Sequence, residues 1–295
     1  MQKFVITVIS HGDILDIVPF EKTISKECNI VKTIKLSSRS SDIHVESVER
    51  PQDIDTAAHD VIIQKDDEYR RNKKLVVFDM DSTLIYQEVI ELIAAYANVE
   101  DKVRSITNRA MNNEIDFKES LKERVALLKG IRFEDILNEI KDKLVITEGV
   151  TDLCHVLKED GVHLAVLSGG FIEFAEVIKK KLNLDVACAN VLERDSNGIL
   201  TGKLVNLDEI VDGEFKANKL LSMCKELNVP VKSSVMIGDG GNDLPAMSVA
   251  GFGVAWNAKP IVQMKAPSKL NTKSLSDVLY IFGYTQEEIN EKRRH

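Results

Sequence analysis

Apolar residues recur along most of the chain in short continuous runs, with stretches of helical spacing between them. Leu75-Val76-Val77-Phe78, Val162 to Leu167, Val235-Met236-Ile237 and Phe252 to Trp256 are too short for buried helices and rich in β-branched residues, so they predict buried strands. Phe215 to Leu227 reads as an amphipathic helix, with Ala217, Leu220, Leu221, Cys224 and Leu227 on its apolar face. Asn197-Gly198, flanked by short strand patterns, predicts a hairpin, and a helix around Ser274 to Phe282 closes the pattern. Strands that alternate with helices point to an α/β fold with a mostly parallel sheet.

Two segments break this alternation. Residues 1–73 predict a small α+β domain of their own: strands at Phe4 to Ile9, Ile30 to Leu36, Ile43 to Val48 and Val61 to Gln64, a helix at Phe20 to Cys28, and a weak second helix before the last strand. That succession is ferredoxin-like, as in small regulatory domains of the ACT type, and a dimerising or purely structural extension fits it equally. The polar run Lys65 to Lys74 marks the boundary. Residues 88–147 are mostly helical and sit inside the alternating part, so the core is expected to comprise 74–87 and 148–295, with 88–147 as an insertion.

The 295 residues are enough for about two domains. A formal net charge of -8 argues against nucleic acid or an anionic membrane as the main partner, because phosphate-backbone binding needs a basic surface. Cys28, Cys154, Cys188 and Cys224 lie far apart without a Cys-x-x-Cys pair, which suggests free thiols in a reducing compartment and neither zinc nor disulfides. No apolar run approaches ~18 residues and the amino terminus reads as a strand, so a cytoplasmic location is expected.

The chemistry-bearing residues stand at the ends of the apolar runs. Leu75 to Phe78 stops at Asp79-Met80-Asp81-Ser82-Thr83. Two carboxylates so close repel unless a cation or a shared proton offsets them, and an oxygen-only donor set favours magnesium; the plain alternative is a capped turn. Val235 to Ile237 runs into Gly238-Asp239-Gly240-Gly241-Asn242-Asp243, a second glycine-permissive turn with two acids, sited where pyrophosphate would be repelled. Val162 to Leu167 leads to Ser168-Gly169-Gly170, whose hydroxyl and free amides at a strand-to-helix turn suit an anion, although such turns are common. Lys216 in a first helical turn opposes the helix dipole, yet a lone lysine is usually surface. In the insertion, Asp116 with Glu119 signals a helix start and Gly130 a stop, and Arg124 falls on the stripe of Phe117, Leu121, Val125 and Leu128. An inward arginine needs an anionic partner, unless it snorkels at the stripe's edge. Glu88 opens the first inserted helix, either as a dipole-favoured acid or as a counter-charge for an ammonium group.

Asp79-x-Asp81-x-Thr83, Ser168-Gly169-Gly170, Lys216 and Gly238 to Asp243, in that order, resemble the four motifs of the haloacid dehalogenase superfamily. The closer likeness, over roughly residues 74 to 283, is to members that hydrolyse O-phospho-L-serine in serine biosynthesis. That resemblance implies a doubly wound sheet with a helical cap, Asp79 as nucleophile and Asp81 as general acid and base. It implies magnesium held by Asp79, the Asp81 carbonyl and Asp239, with Asp243 in support, and phosphoryl oxygens held by Ser168, Gly169 and Lys216. Glu88, Arg124 and Asn242 match substrate-contacting positions, and Met111 and Phe117 match apolar cap positions. It leaves room for a homodimer. Another small amino-alcohol or sugar phosphate as substrate, phosphoryl transfer to a second alcohol, and a catalytically silent sensor are the competing readings.

Overall fold

The computed structural model describes residues 1–111, 114–206 and 209–294, with the side chain of Met111 outside that set. Its centre is a six-stranded sheet, wholly parallel, of β5 (Leu75–Phe78), β6 (His163–Phe171), β7 (Val186–Asn190), β10 (Ser234–Gly238), β11 (Phe252–Trp256) and β12 (Lys269–Leu270). The order is β12-β11-β10-β5-β6-β7. Successive strands therefore step one way from β5 to β7, then jump back across it to β10 and continue the other way. A crevice opens at that reversal, beyond the carboxyl ends of β5 and β10, where doubly wound sheets bind ligands.

Both faces of the sheet are covered. Val76 and Phe78 enter one apolar cluster with Leu164, Val166, Val235 and Ile237, whereas Leu75 and Val77 enter another with Ala165, Leu167, Met236 and Leu220. Alternate residues of a strand burying into opposite layers explains why the runs read as continuously apolar.

A second sheet is antiparallel, in the order β2-β3-β1-β4, from β1 (Gln2–Ser10), β2 (Asn29–Lys35), β3 (Ser40–Ser47) and β4 (His59–Lys65). One helix, Val18–Ile24, packs on it. The expected second helix is absent: residues 48–58 run between β3 and β4 without one. That segment holds Pro51 and polar residues with no apolar stripe to bury, so nothing would fix it as a helix. β2 is an outer edge, mostly exposed and irregular between Ile30 and Lys32. Buried polar contacts fasten this sheet to helices that follow it in the chain. Gln64 Nε2 donates to the Ile281 carbonyl at 2.7 Å, and Arg70, on the helix Glu68–Arg71, pairs with Asp42 at 2.7 Å.

The insertion between β5 and β6 carries the helices Val89–Tyr96, Glu100–Met111, Phe117–Ala126 and Phe133–Ile140, and the helix Val150–Glu159 follows it before β6. The chain enters and leaves this insertion on adjacent antiparallel segments: Tyr86 N–H donates to Val145 and Thr147 N–H to Leu84. A hairpin, β8 (Leu192–Arg194) and β9 (Leu200–Leu204), turns at Gly198 with φ +75° and packs against the same helices.

Candidate active site

The turn after β5 carries the first two acids. Asp79 leaves the strand with its N–H donated to Ile237 of β10 at 2.9 Å, and its own carboxylate caps the turn by accepting the Met80 N–H at 2.8 Å. Ser82 then takes a left-handed conformation, φ +54°, which folds the chain so that Asp79 and Asp81 both face the crevice. One carboxyl oxygen of Asp81 is buried without a hydrogen-bond partner among the described residues. Burial, then the charges of Glu88 and Asp79, raise Asp81 well above the ordinary carboxyl range.

β10 delivers the second acidic turn beside the first. Asp239 accepts from the Thr83 hydroxyl at 3.3 Å, and Asp243 accepts the Gly240 N–H at 3.0 Å. Gly238 is obligatory, since a Cβ there would lie 2.2 Å from the Asp243 carboxylate. Lys216 has no solvent exposure and lies between Asp79 at 2.9 Å and Asp243 at 2.7 Å. Burial would lower its pKa, but the two carboxylates outweigh burial and raise it, so it stays charged. Its place in the first turn of the helix Gly213–Glu226 brings it over the acids instead of to the surface.

Asp79, Asp239 and Asp243 each offer an oxygen, all within 4.8 Å of one another. Burial and the neighbouring acids push Asp239 up to about 8, and burial and Asp79 push Asp243 up to about 7 against the pull of Lys216. One lysine does not satisfy three crowded carboxylates. An all-oxygen cluster with surplus negative charge is suited to a hard divalent cation.

The opposite wall belongs to the Ser-Gly-Gly stretch and the inserted helices. Contrary to the strand-to-helix turn expected at Ser168 to Gly170, β6 continues in extended form to Phe171, and its pairing with β7 is interrupted between Leu167 and Phe171. Ladder bonds are lost over those residues, and Ser168 Oγ accepts the Gly170 N–H at 2.9 Å. Phe117 rests on Gly169, where a Cβ would come within 2.8 Å of the ring. Arg124, Phe117, Glu88 and Asn242 all line one cavity of about 520 Å³ with Asp79, Asp81, Ser168, Gly169 and Asp239. Arg124 donates to the Ser120 carbonyl at 3.2 Å and is held near Glu88; burial lowers its pKa while Glu88 and Asp81 oppose that. Glu88 accepts the Ser82 hydroxyl at 2.7 Å, and burial raises its pKa while the Ser82 bond works against the rise. Its side chain makes no capping bond to its helix, so the dipole reading alone does not account for it. Met111, also assigned to this wall from sequence, lies outside the described side chains.

Residues 73–251 match the family model described as haloacid dehalogenase-like hydrolase. The chain belongs to that family of hydrolases. Among haloacid dehalogenase-like relatives, it is 55% identical over 316 aligned residues to a phosphoserine phosphatase of Saccharomyces cerevisiae, covering 99% of this chain and all of the relative. A probable phosphoserine phosphatase from Vibrio cholerae superposes with a TM-score of 0.74 at 30% identity, over 99% of this chain and 88% of that one. A phospho-aspartyl intermediate analogue of phosphoserine phosphatase superposes with a TM-score of 0.66 at 37% identity, over 71% of this chain and 98% of that one.

Two residues of this haloacid dehalogenase-like site carried no sequence signal. Asn190, at the end of β7, donates to the Gly169 carbonyl at 2.8 Å and accepts the Val211 N–H at 2.9 Å, tying the Ser-Gly-Gly stretch to the segment before Lys216. Lys118 reaches Asp212, the N-cap of the Lys216 helix, at 3.0 Å. Neither belongs to a motif, and their partners are distant in sequence.

Proposed function

We propose that the chain hydrolyses O-phospho-L-serine to L-serine and phosphate through an aspartyl-phosphate on Asp79. The observation that carries this reading is that Asp79 and Asp81 line the same cavity as Glu88 and Arg124. Those are counter-charges for the ammonium and the carboxylate of an amino acid. The 55% identity to the Saccharomyces cerevisiae phosphoserine phosphatase over 99% of this chain supports it.

Phosphoryl transfer depends on positioning and on neutralising the phosphate oxygens. Lys216 supplies one fixed positive charge, and the Ser168 hydroxyl and Gly169 amide hold oxygens on the other side. The Asp79 carboxylate attacks phosphorus while protonated Asp81 gives its proton to the leaving seryl oxygen. Asp81, then a carboxylate, takes a proton from the water that hydrolyses the acyl phosphate. Asp79, the Asp81 carbonyl and Asp239, with Asp243 behind them, would hold magnesium, which supplies Lewis-acid neutralisation of phosphate charge. Asn242 and Phe117 complete the substrate wall. A buried charge left unpaired costs roughly 3 to 5 kcal/mol, so esters lacking the ammonium or the carboxylate are poor substrates.

In this reading residues 1–73 form a separate domain, 74–87 with 148–295 the catalytic core, and 88–147 the cap that excludes water while the intermediate exists. The test is phosphate release from O-phospho-L-serine, with and without magnesium, beside a sugar phosphate. Faster release from the sugar phosphate would reject the substrate assignment, and release unaffected by a chelator would reject the metal.

A further inference from the structure

The amino ends of the parallel strands border a second charged cavity, of about 630 Å³, on the side of the sheet away from Asp79. Lys232 and Phe252 reach it from the approaches to β10 and β11, Lys65 from the end of β4, and Lys73 from two residues ahead of β5. Five cationic side chains line it against one carboxylate, Asp67. Two of the five are engaged, Arg50 with Asp53 and Arg70 with Asp42, each at 2.7 Å. Asp67 is engaged as well, accepting the Tyr69 N–H at 2.9 Å. Lys65, Lys73 and Lys232 are left without a carboxylate at ion-pair distance among the described residues, in a chain whose net charge is -8.

Lys73 is the decisive group, being only 5% exposed. Its ammonium lies 5.5 Å from the Phe252 ring and 5.4 Å from the Phe282 ring, and that of Lys232 lies 5.7 Å from the Tyr69 ring. Ring faces offset part of the loss of water around an ammonium, but less than an anion would. Burial accordingly drags Lys73 down to about 8. A lysine kept under these conditions, next to two exposed lysines and an open cavity, is suited to an incoming negative charge.

We propose that this cavity binds a small oxyanion, a phosphate or a carboxylate, between Lys73, Lys65 and Lys232. The bound anion would bridge the antiparallel sheet, which contributes Lys65, to the turn Val231–Ser233 that leads into β10 of the parallel one and contributes Lys232. Its third contact, Lys73, leads directly into the strand that ends at Asp79.

Calorimetric titration of the full chain with inorganic phosphate, and in a parallel arm with citrate, tests this. The catalytic site is a second place for phosphate, so the informative comparison is with variants that leave that site untouched. Lys65→Gln with Lys232→Gln changes two exposed side chains, and Lys73→Met replaces the buried ammonium with an apolar chain. One binding event beyond the catalytic site is expected in the wild type, weakened about tenfold or lost in the double variant, with turnover in low-anion buffer unchanged. A response to phosphate alone assigns a tetrahedral anion, and a response to citrate assigns a carboxylate. Absence of that event with both anions, or isotherms of the Lys65/Lys232 variant that superimpose on the wild type, overturns the proposal even if Lys73→Met fails to fold.

Discussion

Lys216 and Asp79 meet at 2.9 Å in the interior, the lysine reaching down from a helix and the aspartate up from a strand. The same ammonium holds Asp243 at 2.7 Å, so one cation orders both acidic turns at the reversal of the sheet. Removing it disturbs charge and geometry together.

Lys216→Met is therefore expected to lower turnover by at least about a hundredfold, the scale of losing one preorganised electrostatic partner. It should also destabilise the fold by about 3 kcal/mol, because two buried carboxylates lose their counter-ion. Steady-state phosphate release and urea unfolding measure the two effects. Turnover at the wild-type level would remove the lysine from the chemistry.

Asp79→Asn should abolish turnover while leaving unfolding cooperative, since the amide oxygen can still accept the Met80 N–H. Thermal unfolding followed by circular dichroism, beside the phosphate assay, checks both halves. Measurable hydrolysis would move the nucleophile elsewhere.

Arg124→Ala should raise KM for O-phospho-L-serine far more than for a small neutral phosphate ester, because only the first has a carboxylate for the guanidinium. Comparing kcat and KM for the two substrates decides it. Equal losses on both would refute the carboxylate role.

Gly169→Ala places a Cβ within 2.8 Å of the Phe117 ring and should raise KM several-fold by pushing that ring into the cavity. Combining it with Phe117→Leu should recover part of the loss, a coupling that two independent sites would lack.

Asp185 gives a pH dependence away from the site. Burial pushes its carboxyl up, but bonds from Lys158 at 2.6 Å and from the Leu164 N–H at 2.8 Å outweigh burial and hold it below the ordinary range. A depressed carboxyl stabilises the fold above its unfolded pKa, about 3.9, and that stabilisation is lost as pH falls through the folded value. Asp185→Asn should thus cost about 1 kcal/mol at pH 7 and progressively less below pH ~4 by urea unfolding. An Asn variant equally destabilised at both ends of that range would count against the linkage.

The four central strands were legible because they are buried on both faces, which makes runs such as Leu75 to Phe78 continuously apolar; the half-buried edge strand Val186–Asn190 and the two-residue strand Lys269–Leu270 carry no such run and were not expected. The acidic turns were legible because carboxylates at the end of such a run have no cheap structural explanation. Arg124 and Glu88 stayed ambiguous in sequence, since an inward arginine and an acid at a helix start each have an ordinary reading; only the fold brings them to one cavity with Asp79. The extended path of Ser168 to Phe171 was hidden because it depends on Phe117 and Asn190, contacts made across the chain and carried by no local pattern. The absent second helix of the amino-terminal sheet reflects the opposite case, a family-like succession outweighing weak local evidence.

The outer strand β2 leaves one side of its backbone without a strand neighbour. Lys32 and Lys35 stand along it, and its ladder slips between Ile30 and Lys32. An incoming strand would meet like charges and a register that does not propagate, so this border is guarded against fibre-like growth. Growth of the sheet by strand addition at this border is therefore disfavoured.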